Sequence, residues 1–94
     1  MNKLIITATR SNPNTVFWNP RNTFKAYRTQ RYVTTGKIVD IIVSESITQK
    51  TTIIEFKDTT SLNEWLDDSK YIENTQQAAE YNQQNGITTE RYTE

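Results

Sequence analysis

The sequence predicts an α+β protein in which a four-stranded antiparallel sheet carries two helices on one face. Three observations lead there. Two β-branched runs, KIVDIIVSE (37–45) and KTTIIEFK (50–57), flank a short polar stretch and read as the two arms of a hairpin. Two more extended runs, KLIITAT (3–9) and ITTERYT (87–93), stand toward the two ends of the chain. Helical patterns over residues 20–33 and 61–85 separate these runs, so the order is β, α, β, β, α, β.

Each element has a local cause. The first strand should end at Ser11-Asn12-Pro13-Asn14, which has the chemistry of a turn. Asn19-Pro20 suits a helix entrance, because proline is tolerated where the amide has no helical partner. Phe24 and Tyr27 share one side of that helix, and Gly36 can end it. In the hairpin, period-two alternation sends Val39, Ile41 and Val43 one way and Ile38, Asp40, Ile42 and Ser44 the other. Ser61 and Glu64 form a capping-box pattern that should start the second helix. Its apolar stripe would be Leu62, Trp65, Leu66, Ile72 and Ala79, with Asp67-Asp68-Ser69 able to split it. Gly86 after Asn85 supplies its left-handed stop.

Composition bounds the chemistry. Leu, Ile, Val and Phe are 20 of 94 residues, which is enough for one thin core and leads us to expect a single domain over 1–94 that self-associates. With no Cys and no His, the usual zinc, thiolate, imidazole and His-ligated haem chemistries are absent, and no cofactor or metal is expected. The apolar run 38–43 is too short for a membrane span. Leu4-Ile5-Ile6 gives way at once to Thr7, unlike a secretory signal, so a cytoplasmic setting is expected.

The zero net charge conceals a division. Residues 1–37 hold seven basic side chains and no acid, whereas 38–94 hold all eleven acids and four basic groups. Arg21, Lys25, Arg28 and Arg31 follow one another at helical spacing, with Tyr27 and Tyr32 interleaved, and could track a phosphate backbone. Matching against the acidic half, within a subunit or across two, is the plainer reading. The third strand lacks the Gly and all but one of the aromatics of an RNA-recognition strand, which further disfavours nucleic acid.

The element order is the ferredoxin-like split pattern. It leaves one sheet face without helices, and that face would carry Ile5, Ile38, Ile42 and Ile53 among Thr7, Thr9, Asp40 and Glu55. Such a mixture suits burial against a second copy. Asp40 and Glu55 would lie on neighbouring strands there, either as an acid and base pair, as an interface ion pair with Arg91, or in solvent. Trp65 and Trp18 offer packing surface or a stacking platform for a planar ligand.

Phe56-Lys57-Asp58, the run from Ser61 to Asp68 with its Trp65, and Tyr71 resemble the dimeric α/β-barrel superfamily, as does the order of elements over nearly the whole chain. The resemblance implies a homodimer with facing sheets that enclose a ligand space. Cofactor-independent oxygenation is among the superfamily's activities; pocket Trp, Asn and Tyr residues serve it there, and Trp65, Asn63 and Tyr71 are the residues of those types here. The Asn, Gln, Thr and Ile bias is similar to that of small uncharacterised phage proteins. The expected function is that of a homodimeric structural or interaction protein that holds a small ligand between facing sheets. A cofactor-independent monooxygenase and a nucleic-acid binder using the first helix are the alternatives. The ligand-binding candidates are Asp40, Glu55, Trp65, Tyr71 and Arg91.

Overall fold

The computed structural model describes residues 2–94. Strand β1 (Lys3–Arg10) is followed by helix α1 (Asn22–Arg28), which runs on into a π-helical turn, Thr29–Val33. The hairpin strands β2 (Ile38–Glu45) and β3 (Gln49–Phe56) come next, then helices α2 (Thr59–Asp67) and α3 (Ser69–Gln84), and finally strand β4 (Ile87–Thr93). The sheet order is β2-β3-β1-β4 with every neighbouring pair antiparallel, and the helices cover one face. This is the ferredoxin-like α+β arrangement. No helix among the described residues is long and apolar enough to cross a membrane.

The core lies between the sheet and the helices. Leu4, Ile38, Ile54 and Phe56 rise from the sheet to meet Tyr32, Leu62, Trp65 and Tyr71. Trp65 is 1% exposed and is ringed by aromatics, with Tyr71 at 4.7 Å, Tyr32 edge-on at 4.9 Å, Phe24 at 5.8 Å and Phe56 at 6.0 Å between centroids. A core short of aliphatic residues thus draws its buried area from large rings.

Local structure departs from the expected pattern at four places. A bulge between Ile38 and Asp40 breaks the period-two alternation of β2, so Ile38 pairs with Phe56 and points into the core while Asp40 pairs with Glu55 on the free face. Ile38 therefore does not belong to the free face. Helix α1 starts at Asn22, and Pro20 lies ahead of it in extended chain. Its π-helical continuation closes an i→i+5 bond from the Thr34 amide to the Thr29 carbonyl.

At the start of α2 the cap is Asp58, whose Oδ1 accepts from the Ser61 amide at 2.7 Å, so the helix begins at Thr59. Glu64, freed from a capping role, takes Lys37 at 2.8 Å. The split expected near 67–69 occurs at Asp68, whose extended backbone (ψ 123°) resets the helical phase. The buried positions of α3 are consequently Tyr71, Ala78 and Asn82, while Ile72 and Ala79 face outward. Gly86 (φ 67°) ends α3 in the conformation that side chains resist.

Candidate functional site

The helix-facing side of the sheet becomes smaller and more polar along its strands. Ile41, Ile54 and Leu4 form one cross-strand row; Thr52, Ile6 and Arg91 form the next; Lys50, Ala8 and Thr89 form the one after. Small side chains in the later rows cannot fill the space under the helices. A cavity of about 120 Å³ remains there, closed above by Phe24 and Arg28 of α1, Trp65 of α2 and Tyr71, Asn74 and Ala78 of α3. The segment between β1 and α1 supplies its outer wall through Phe17, Trp18 and Pro20.

That wall is pinned. Arg10 donates from Nη1 to the Thr15 carbonyl and from Nε to the Ile47 carbonyl, both at 2.8 Å, and its guanidinium lies 4.3 Å from the Phe17 ring centre. Tyr81 donates its hydroxyl to the Val16 carbonyl at 2.5 Å. Lys50 Nζ reaches Asn19 Oδ1 at 2.9 Å.

Three residues of the cavity lining carry buried, unpaired polar atoms. Arg28 Nε, Trp65 Nε1 and Asn74 Oδ1 are buried without a hydrogen-bond partner, and all three residues line this one space. Buried polar groups are nearly always paired, so three in the lining of one cavity mark a place where water or a ligand completes the bonding. Arg91 donates to the Tyr71 hydroxyl at 2.5 Å, which leaves the Tyr71 proton free to be donated. Burial lowers the pKa of both Arg28 and Lys50.

The sequence-derived candidates divide across the sheet. Trp65, Tyr71 and Arg91 line the cavity. Asp40 and Glu55 are register partners on the opposite face, and neither makes an ion pair among the described residues. Arg91 cannot join them, because it sits opposite Ile6 on the helix side. Asn63 is exposed on α2, and the amide in the cavity is Asn74. Helical spacing singled out Arg28 as a phosphate contact and not as a cavity residue, and it offered no signal for Asn74 or Lys50; the three come together only through the packing of α1 and α3 over β3.

The four basic residues of the first helical segment are placed in different surroundings. Arg28 turns into the cavity. Arg31 faces the acidic helices, 3.9 Å from both Glu64 and Asp68. Arg21 borders a separate cleft with Lys70 and Glu73, and Lys25 stays exposed. Part of the charge division is thus matched within the subunit.

On the free face, Ile42, Ile53, Ile5 and Tyr92 stand in one row across all four strands. Ile5 is buried, whereas Ile42 is 50% and Tyr92 52% exposed.

No family model and no curated protein sequence matches the chain. Its structure is similar to a solved structure from Deinococcus radiodurans described as a candidate antibiotic biosynthesis monooxygenase, at 13% identity and a TM-score of 0.52, over 98% of this chain and 90% of that one. At that identity the likeness concerns the fold. It agrees with the ferredoxin-like arrangement read from the order of elements and carries no information about a phage source.

Proposed function

We propose that the protein is a homodimer that binds a small, flat molecule in the cavity between its sheet and its helices. The observation that carries this reading is that Arg28, Trp65 and Asn74, each with an unpaired buried polar atom, line a single aromatic-walled space. At about 120 Å³ the cavity is smaller than the enclosed apolar cavity of about 150 Å³ that holds benzene in another protein, and because it opens to solvent a single ring is the largest group it would take. The ligand therefore belongs under the helices, and the free sheet face is left for a second copy.

Both tryptophans line the cavity, so their indole N–H resonances report on it directly. Titration with a panel of single-ring aromatics should displace both resonances saturably. A folded protein in which no member of the panel moves either one would defeat the reading.

A cofactor-independent oxygenase is the second reading. Trp65, Tyr71 and Asn74 share the cavity, and the fold is that of the monooxygenase-described structure above. In such a reaction the substrate supplies the electrons: a CH₂ group and O₂ yield a carbonyl and water. Dioxygen uptake with an electron-rich polyphenol, lost in Trp65→Phe, is the result it requires; uptake equal to the protein-free rate argues against it.

A further inference from the structure

We propose that the ligand is an anion, a flat ring bearing one carboxylate or an equivalent charged oxygen group, and that Arg28 is the residue that receives the charge. The inference rests on the small-molecule reading above and adds the chemical class of what is bound.

The first ground is the sign of the lining. Arg28, Lys50 and Arg91 border the cavity, and no Asp or Glu does among the described residues. Of the three cations, two are already engaged: Lys50 with Asn19, and Arg91 with the Tyr71 hydroxyl. Arg28 has neither a hydrogen-bond partner at Nε nor a carboxylate within ion-pair distance, although its neighbour in the helical turn, Arg31, has two. A buried Nε–H without a partner on a half-buried guanidinium is costly, and an anion beside it would offset that cost.

The second ground is the imbalance of donors over acceptors, with Asn74 Oδ1 as the single unpaired acceptor against them among the buried atoms of the described lining residues. Arg28 Nε–H and Trp65 Nε1–H are donors with nothing to donate to, and the Tyr71 hydroxyl has its own proton to spare. A carboxylate presents about four acceptor sites, more than an alcohol or an amide of similar size. Charge-assisted bonds to it are also about twice as strong as neutral ones. The desolvation of Arg28 and Lys50, which lowers both pKa values, agrees with an environment arranged to be neutralised from outside the chain.

The ring follows from the rest of the lining. Phe17, Trp18, Phe24 and Trp65 wall the space with aromatic surface, and Ala8 and Ala78 keep it open. A bare inorganic anion would leave that surface uncovered.

The test compares benzoate, benzamide and acetate, read by the indole N–H resonance of Trp65 and the Nε–H resonance of Arg28 in the full chain. Benzoate should move both saturably and bind at least about tenfold more tightly than benzamide, with acetate weaker than either. In Arg28→Gln the preference of benzoate over benzamide should shrink to about twofold or less, while Arg28→Lys retains part of it. Benzamide binding as tightly as benzoate to the wild-type protein overturns the anion inference and leaves the cavity reading standing. Acetate matching benzoate overturns the ring. Failure of all three to move the Trp65 resonance counts against the cavity reading itself. The wild-type comparison decides the matter even if Arg28→Gln does not fold.

Discussion

Tyr32, which has no exposed surface, donates its hydroxyl to Asp68 across 2.5 Å, joining the π-helical turn to the break between α2 and α3. The same Oδ2 accepts from Tyr27 at 2.6 Å, while Oδ1 accepts from the Lys70 amide at 2.8 Å and so caps α3. Five residues span about 1.4 turns of an α-helix, which would set Tyr27 and Tyr32 on different sides. The wider i→i+5 turn brings them toward one side, with ring centres 6.5 Å apart.

Asp68→Asn should therefore destabilise the protein by about 2–4 kcal/mol, since an amide has one acceptor oxygen for the two tyrosine hydroxyls and the Lys70 amide and carries no charge to strengthen those bonds. Burial alone would raise the Asp68 pKa, but the hydroxyls of Tyr27 and Tyr32 and the amides of Lys70 and Tyr71 outweigh it and hold the carboxyl below its usual 3.8. A carboxylate depressed in the folded state contributes stability that is complete above the unfolded value and is lost as pH falls through the folded one. Chemical denaturation from pH 6 down through the acid range should show that loss in the wild type. In Asp68→Asn the corresponding part should be missing.

The tyrosines respond at the other end of the scale. Burial, then the hydrogen bond to Asp68, raises the pKa of both Tyr27 and Tyr32 above the ordinary 10.0. A phenol raised in the folded state contributes stability that is present below its unfolded value and is lost as pH rises through the folded one. Spectrophotometric titration should find these two phenols still protonated above pH 10, and ionising them should unfold the chain. Tyr32→Phe should remove part of that alkaline transition and cost about 1–2 kcal/mol.

Association is tested at Ile42. The side chain is half exposed in one subunit, so Ile42→Asp should change the stability of a monomer by no more than about 0.5 kcal/mol. If the row Ile42, Ile53, Ile5 and Tyr92 meets its copy, the same substitution should halve the mass measured by light scattering and remove the dependence of melting temperature on concentration. A wild-type protein that is monomeric at every concentration would end the dimer proposal.

The start of α2 offers a contrast between two carboxylates. Asp58 caps the helix, whereas Glu64 pairs with Lys37 on a partly exposed surface. Asp58→Ala should lower the melting temperature clearly. Glu64→Gln should cost no more than about 1 kcal/mol, as exposed pairs do.

Much of the fold was legible because its causes are local. The β-branched runs at 3–9, 37–45, 50–57 and 87–93 fall within a residue or so of the observed strands, and Gly86 ends α3 where its positive φ is needed. Side-chain direction was less legible wherever one residue broke the period. The bulge before Asp40 turned Ile38 inward, and the extended Asp68 moved the buried alanine from 79 to 78. Both are single-residue changes of phase, to which an average over a window is blind.

The order of strands and helices, the absence of imidazole and thiol chemistry, and the uneven division of charge could all be read from the residues alone, because they are properties of composition and short-range pattern. Long-range packing is what lets Trp65, Tyr71 and Arg91 share a space from which Asp40 and Glu55 are excluded. It also brings Arg28, far from them in sequence, into the lining of that space. A cavity is what packing fails to fill: it depends on the sizes of Ala8, Thr52 and Thr89 relative to the helices above them, and those meet only after the chain has folded.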